Sequence, residues 1–219
     1  MAKKNNKKLS ELSYALLFDK MHHFDFIKNK KFDADWIVFK EDNIIYVTFE
    51  GTKSFKDVLM DLLFIPVKDK LFNDLSLKFH KGFRDAYWSV RSQVLDECYK
   101  LYKEGDSFTL LGHSLGGAMA GIAAEDIAYH FNTKVTLITY GAPYIAANKK
   151  TAKNVNSYLT DASIAFENGN DFIPHVPFFF KHINNKKHIG KKYNFFKAFY
   201  NLIFQKASEH TSYNNSSIY

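Results

Sequence analysis

A serine flanked by glycines, Gly-His-Ser-Leu-Gly at residues 112–116, constrains the fold of this chain more than any other feature of its sequence. A short apolar run at residues 108–111 precedes it, and a stretch rich in glycine and alanine with helical spacing follows it. A serine between a buried strand and a helix must sit on a sharp turn, where neighbouring side chains would clash. Gly112 and Gly116 remove those clashes. The pattern therefore predicts a nucleophile elbow, completed by His113; an ordinary tight glycine turn is the alternative.

Strand and helix patterns alternate along the rest of the chain. Runs of β-branched and aromatic residues predict strands at residues 36–39, 44–49, 108–111, 135–140 and 163–166. Helical spacing of apolar residues predicts helices at residues 9–24, 83–102 and 115–131. Such alternation is typical of an α/β sheet with parallel central strands. Because no repeat or linker-like segment interrupts it, we expect one domain over residues 9–219, after a flexible basic N-terminus at residues 1–8.

The composition is unusual in its lysines and aromatic residues. Thirty basic residues, of which only Arg84 and Arg91 are arginines, stand against 23 acidic ones and give a formal net charge of +7. A basic surface with many phenylalanines and tyrosines favours an anionic membrane or a nucleic acid, whereas a lysine-rich coding bias would produce the same composition without a partner. Because proteins that read nucleic acids use arginine for bidentate contacts with bases, we expect no nucleic-acid partner.

Cysteine content and apolar runs bear on the cellular compartment. A single cysteine, Cys98, excludes a disulfide framework and any multi-cysteine metal site. No apolar run approaches the roughly 18 residues of a membrane-spanning helix, and the run at residues 14–18 is shorter than a secretory signal needs. From these features we expect a cytoplasmic protein, with signal-independent export as the alternative.

Five motifs stand out along the chain: Phe-Glu-Gly-Thr at residues 49–52, Phe-Ile-Pro-Val at 64–67 with His-Lys-Gly-Phe at 80–83, Gly-His-Ser-Leu-Gly-Gly at 112–117, Tyr-Gly-Ala-Pro at 140–143 and Asn-Asp-Phe-Ile-Pro at 170–174. In sequence and in order they resemble the motifs of class 3 lipases, a family of α/β-hydrolases. Glu50 departs from the arginine that is usual in the family. The resemblance implies an α/β-hydrolase fold, with a mostly parallel central sheet flanked by helices, and hydrolysis of carboxylic esters.

An elbow serine is activated by a histidine base that an acid holds in place. In α/β-hydrolases the three residues follow in the order serine, acid, histidine, so that Ser114 is the expected nucleophile. Asp171 resembles the acid of the family's loop and is the expected acid, with Asp161 as the alternative. His210 resembles the histidine of the family's terminal His-x-x-Tyr and is the expected base, with His188 as the alternative.

The resemblance also implies the remaining parts of a hydrolytic site. An oxyanion hole would be formed by the backbone N–H of Leu115 and by Thr52, through its N–H and its hydroxyl. Residues 55–64 resemble a lid over the acyl pocket, and a permanently docked surface helix is the alternative. The apolar face of this segment consists of Phe55, Val58, Leu59, Leu62 and Leu63. Such a mechanism requires no metal and no cofactor.

We therefore expect a serine carboxylic-ester hydrolase that acts on lipids through an acyl-enzyme. The basic, aromatic composition favours a phospholipase of the A type, with a triacylglycerol lipase or a short-chain carboxylesterase as alternatives. We also expect peripheral contact with an anionic membrane, either through the lid or through the aromatic, lysine-rich residues 178–180 and 193–204, which could instead pack in the core. A non-catalytic module that binds a membrane or a protein would have a broken triad, which the sequence does not show.

Overall fold

The computed structural model of the protein describes residues 25–29, 34–50, 70–71, 74–203 and 213. Several sequence predictions lie outside the described residues: the flexible N-terminus at 1–8, the helix at 9–24, Thr52, the lid at 55–64 and His210. They remain predictions.

Within the described ranges, six strands form a mixed sheet and two more form a separate ribbon. The strands are β1 (Trp36–Glu41), β2 (Ile44–Phe49), β3 (Lys70–Leu71), β4 (Asp74–Lys78), β5 (Ser107–His113), β6 (Val135–Tyr140), β7 (Ile164–Asn168) and β8 (Lys186–Ile189). The order in the large sheet is β1-β2-β5-β6-β7-β8. β1 and β2, which include the first two predicted strands, form an antiparallel hairpin, and each pairing from β2 to β8 is parallel. The mostly parallel sheet is thus confirmed.

The helices flank this sheet. They are α1 (Lys81–Trp88), α2 (Arg91–Leu101), α3 (Leu115–His130), α4 (Lys149–Ser157) and α5 (Phe195–Ile203). Helix α3 is buried from Leu115 to Ala128, because it packs on β2, β5 and β6 on one side and contacts α1 and α4 on the other. A helix that is covered on both sides has apolar residues around its whole circumference, which explains the run of alanines and glycines in α3.

The prediction of one long helix over residues 83–102 is wrong, because Ser89 and Val90 separate α1 from α2. Val90 has φ −121° and ψ −7°, outside the helical region. The Ser89 hydroxyl donates to the carbonyl oxygen of Ala86 at 2.7 Å and accepts from the side-chain amide of Asn29 at 2.9 Å. Serine side chains that bond to nearby backbone compete with helix continuation, and here the contact with Asn29 fixes the break to the segment before β1.

The carboxyl ends of the parallel strands meet at one edge of the sheet. β5 ends at His113, β6 at Tyr140 and β7 at Asn168. In open α/β sheets, ligands bind outside the carboxyl ends of the strands, so the segments that follow these three strands form the candidate site. Within the described ranges, no helix is long and apolar enough to cross a bilayer.

Candidate active site

Ser114 occupies the turn between β5 and α3 with φ 54° and ψ −124°. A positive φ is uncommon outside glycine and costs about 1–3 kcal/mol. The backbone holds this conformation from both sides: Ser114 N–H donates to the carbonyl oxygen of Tyr140 in β6 at 2.9 Å, and the Ser114 carbonyl oxygen accepts from Ala118 in α3 at 3.2 Å. The strained turn is therefore built into the sheet and the helix, as a nucleophile elbow requires.

The two glycines of the elbow allow close backbone approaches. A Cβ at Gly112 would overlap the carbonyl group of Gly116, and a Cβ at Gly116 would overlap the carbonyl group of Phe49. A Cβ at Gly116 would also lie 2.8 Å from the carbonyl carbon of Glu50. The end of β2 is thus packed directly on the elbow. Glu50, the last described residue after β2, is therefore close to Gly116 of the elbow.

The first turn of α3 lies directly after the serine. Because the first amides of a helix have no acceptor within the helix, they offer N–H donors and the positive end of the helix dipole to an anion. Leu115 is the first residue of α3. Its backbone N–H is therefore of the type that stabilises an oxyanion formed beside Ser114.

Asp171 lies in the loop that follows β7 and is buried, with 4% of its surface exposed. One carboxylate oxygen, Oδ1, accepts from the backbone N–H of Ile173 at 3.0 Å, and Oδ2 accepts from the Tyr213 hydroxyl at 2.7 Å. These two bonds fix the orientation of the carboxylate. The alternative acid, Asp161, is exposed and precedes β7, at the opposite edge of the sheet from the elbow.

Tyr213 belongs to the site. In the sequence it was identified only as the last residue of the His-x-x-Tyr motif, with no role predicted for it. Its side chain is fully buried, and its ring lies 5.9 Å from the rings of both His113 and Tyr140. Its hydroxyl also accepts from the backbone N–H of Asn168 at 3.1 Å. Burial, together with the charge of Asp171, raises the pKa of Tyr213 well above its usual value. The phenol is therefore a permanent hydrogen-bond donor to the acid.

We refer to the loop that follows β7 and carries Asp171 as the acid loop. None of the three described histidines that follow it in the chain is bonded to Asp171 by a contact shown here. The alternative base, His188, is exposed on β8, and its Nε2 lies 2.7 Å from the carbonyl oxygen of Lys191. The His175 ring packs on Tyr193 at 4.2 Å, and burial lowers the pKa of His175. Burial, reinforced by the charge of Lys186, lowers the pKa of His182 to about 3. His175 and His182 are thus held in their neutral forms.

Glu50, which stands where the family resemblance predicts arginine, belongs to a small ionic cluster. Lys28 Nζ lies 2.7 Å from the Asp35 carboxylate and 3.3 Å from the Glu50 carboxylate. The backbone N–H of Glu50 also donates to the carbonyl oxygen of Asp35 at 2.9 Å. Lys28 therefore bridges the carboxylate of Glu50, just after β2, and that of Asp35, just before β1.

Among the residues that the structure describes, no group of three or more His, Cys, Asp or Glu side chains could hold a metal ion.

Three known proteins illustrate what the chain is similar to. It is 28% identical to a lipase from Rhizomucor miehei over 157 residues, or 67% of this chain and 41% of that protein. It is 32% identical to the secreted mono- and diacylglycerol lipase MDL3 from Malassezia globosa over 154 residues, or 64% of this chain and 50% of that protein. It is 37% identical to the chloroplastic phospholipase A1-Igamma2 from Arabidopsis thaliana over 98 residues, or 33% of this chain and 18% of that protein. The chain thus spans half or less of the length of these relatives.

A solved structure shows the same fold. The structure of the Rhizomucor miehei triacylglyceride lipase superposes with a TM-score of 0.70 and 22% sequence identity, and the match covers 84% of this chain and 80% of that chain. The fold is that of the α/β-hydrolases, as predicted.

The prediction of a cytoplasmic protein is wrong. The Malassezia relative is a secreted lipase, and this finding overturns the prediction. The prediction relied in part on the single cysteine, but a chain of 219 residues buries enough apolar surface to fold without disulfides. A low cysteine count therefore does not report on the compartment of a domain of this size.

The family assignment rests on most of the chain. The family model for Lipase (class 3) matches residues 46–181, which include the end of β2, the elbow and the acid loop. The chain belongs to the class 3 lipase family.

Proposed function

We propose that the protein hydrolyses lipid carboxylic esters with a triad of Ser114, His210 and Asp171. The observation that carries the proposal is the pairing of a strained serine elbow with a buried, doubly hydrogen-bonded aspartate at the same edge of the sheet. An ordinary glycine turn has no need of either feature, because strain of this kind persists only where the surrounding structure enforces it.

Tyr213 supports His210 as the base. Tyr213 is hydrogen-bonded to Asp171, and three residues span at most about 11 Å, so the short spacing between His210 and Tyr213 favours His210 as the partner of this acid. His188, by contrast, is exposed and bonded to the backbone of Lys191.

The reaction then follows from the roles of these groups. Ser114 Oγ attacks the ester carbonyl carbon while His210 accepts its proton, and Asp171 stabilises the imidazolium. The oxyanion is stabilised by Leu115 N–H and by Thr52. As the tetrahedral intermediate collapses, His210 protonates the leaving alcohol. Water repeats the sequence on the acyl-enzyme and releases the fatty acid and free Ser114.

Phospholipid is the substrate that we propose first. The net charge of +7 attracts an anionic lipid surface, and one relative is a phospholipase A1. Triacylglycerol is the second candidate, supported by the lipase relatives. Peripheral contact with a membrane and an extracellular site of action belong to the same proposal, and the lid at residues 55–64 remains part of it.

Fatty-acid release from phospholipid vesicles and from emulsified triacylglycerol tests the substrate. The Ser114→Ala variant should abolish release from whichever lipid is cleaved, and Ser157→Ala, which changes an exposed serine of α4, should not. Release from vesicles alone identifies a phospholipase, and release from the emulsion alone identifies a neutral-lipid lipase. If Ser114→Ala retains activity, or if neither lipid nor a soluble ester is cleaved, the proposal fails.

Matched pairs of variants test the base and the acid. His210→Ala and Asp171→Asn should each lower kcat by several orders of magnitude, as losses of triad members do. His188→Ala and Asp161→Asn should leave kcat within a few-fold of the parent. The opposite result for either pair transfers the role to the other residue.

A further inference from the structure

Exposed aromatic side chains are concentrated just beyond the acid loop. Within the described residues, five of the nine exposed large apolar side chains fall between residues 178 and 200. They are Phe178, Phe179, Phe195, Phe196 and Tyr200, and their exposed fractions are 55%, 68%, 48%, 83% and 47%. We refer to these five residues as the aromatic surface. Large exposed apolar patches mark interaction sites because water solvates them poorly.

Ring contacts join the aromatic surface to the acid loop. Phe178 lies 6.4 Å from Phe195, which lies 6.0 Å from Phe196. Phe172, the residue after Asp171, is buried and lies 5.5 Å from Phe178 and 6.3 Å from Phe195. Phe178, Phe195 and Phe196 of the aromatic surface are therefore an outward extension of the core that supports the proposed acid.

Helix α5 is held against the same loop from its other side. Ala198 is fully buried in a cluster with Phe172, Ile173 and Val176. The backbone N–H of Asn194, just before the helix, donates to the side-chain oxygen of Asn170 at 2.8 Å. These contacts place the exposed phenylalanines of α5 beside the loop that carries Asp171.

The charge of this region has one sign. Residues 172–203 contain six lysines and no aspartate or glutamate. Lys186 is paired with Glu167 at 2.6 Å, whereas Lys181, Lys191, Lys192 and Lys197 are exposed. Aromatic rings flanked by lysines are the features with which interfacial helices insert into the boundary of an anionic membrane.

Charge also argues against a second copy of the chain as the partner of the aromatic surface. A two-fold interface pairs the same surface of both copies, so it would bring two lysine-rich surfaces together. An anionic lipid surface offers the complementary charge and an apolar layer for the rings at the same time.

We propose that the aromatic surface and its exposed lysines dock the protein on an anionic lipid bilayer, with the edge of the sheet that carries Ser114 and Asp171 turned toward the lipid. The proposal deepens the proposed function and rests on it for the identity of the substrate. It adds a docking surface formed by α5 and by the loop after Asp171, separate from the lid at residues 55–64.

Vesicle binding tests this proposal independently of catalysis. The full chain carrying Ser114→Ala is used, so that hydrolysis cannot alter the lipid. Vesicles of phosphatidylcholine alone are compared with vesicles of equal parts phosphatidylcholine and phosphatidylglycerol. We expect binding to the anionic vesicles to be stronger and to weaken as salt screens the lysines.

Lysine variants test the electrostatic part. Lys191→Gln with Lys192→Gln should weaken binding to anionic vesicles about 30-fold at low salt, because each lysine near the surface contributes about fivefold. The matched control is Lys149→Gln with Lys153→Gln, which removes two exposed lysines of α4 and should change binding little.

An aromatic variant tests insertion. Phe196→Ser should weaken binding about tenfold, since the loss of one partly inserted ring removes most of its transfer free energy. Tyr129→Ser, at an exposed tyrosine of α3, is the control and should leave binding unchanged. Equal thermal unfolding midpoints for both variants and their parent would attribute the difference to the surface and not to misfolding.

Several outcomes would overturn the proposal. One is equal binding to both kinds of vesicle; another is equal loss in the Lys191/Lys192 and Phe196 variants and in their controls. If Phe196→Ser converts a dimer to a monomer in sedimentation velocity without changing vesicle binding, the surface is a contact between copies. Vesicle binding without hydrolysis by the protein with intact Ser114 would refute the proposed function but not the docking surface, and hydrolysis without salt-sensitive binding would do the reverse.

Discussion

Replacing Tyr213 with phenylalanine removes one oxygen atom from the proposed site and leaves the packing of the ring intact. That oxygen lies 2.7 Å from Asp171 Oδ2 and accepts from Asn168 N–H at 3.1 Å. A hydrogen bond to a charged group contributes about 1.5–3 kcal/mol, and a buried donor that loses its acceptor adds a penalty of about 1–3 kcal/mol. Because the two effects are not fully additive, we expect Tyr213→Phe to lower the free energy of unfolding by about 2–4 kcal/mol.

The same change should slow catalysis. If the bond to Asp171 takes full effect only when the acid faces the imidazolium of the transition state, losing about 1.5–3 kcal/mol of that interaction there lowers kcat about 10- to 150-fold, at 1.36 kcal/mol per factor of ten. KM for a soluble ester should change little, because Tyr213 is buried beneath the acid and does not face the substrate.

Two measurements on one preparation check this prediction: urea denaturation for the free energy of unfolding, and steady-state kinetics with a soluble short-chain ester. Tyr129→Phe, which removes an exposed phenol of α3, is the matched control for both. If Tyr213→Phe is destabilised but keeps kcat within twofold of the parent, the hydroxyl stabilises the fold without orienting the acid. That result would refute the reasoning.

Three other perturbations test the fold around the site. Arg91→Ala should lower the free energy of unfolding by about 3–5 kcal/mol, because it leaves the fully buried Asp126 carboxylate without the guanidinium that bonds both of its oxygens; an unchanged urea midpoint would contradict this. Gly112→Ala should abolish soluble expression, since its Cβ would overlap the Gly116 carbonyl group; a folded variant by circular dichroism would show that the turn can relax. The pKa of His182 is about 3 in the folded protein and 6.5 in the unfolded chain. Between these pH values the unfolded chain carries a proton on His182 and the folded protein does not. The free energy of unfolding therefore falls as pH falls from about 6 to 3, by about 1.4 kcal/mol per pH unit. His182→Gln should remove that component from the pH profile of urea denaturation, and an unaltered profile would show that His182 titrates normally.

Local patterns account for what was predictable in this protein. The elbow depends on residues within a few positions of Ser114, where the glycines and the flanking strand and helix are adjacent in the chain. The five predicted strands are likewise local runs of β-branched and aromatic residues, and each is present. β8 escaped prediction because an edge strand such as Lys-Lys-His-Ile, which packs few side chains in the core, has no apolar pattern.

Long-range contacts account for what was not predictable. The helix at residues 83–102 is interrupted at Ser89, where Asn29 bonds to it from 60 positions away. Tyr213 reaches Asp171 across 42 positions. No periodicity or motif spacing encodes such a pair, because the distance between the two side chains is set by how the sheet and its loops pack.

The aromatic residues beyond the acid loop show the same division most clearly. Their sequence is compatible with a core segment and with an exposed surface, since composition reports apolar character and not the direction of a side chain. The tertiary structure decides between these alternatives residue by residue: Phe172 and Phe180 are buried, whereas Phe179 and Phe196 are exposed. The sequence by itself thus determined the family, the elbow and the positions of the five predicted strands along the chain. Only the fold decided which side chains are buried and which residues they bond to, because both depend on what the rest of the chain packs against each residue.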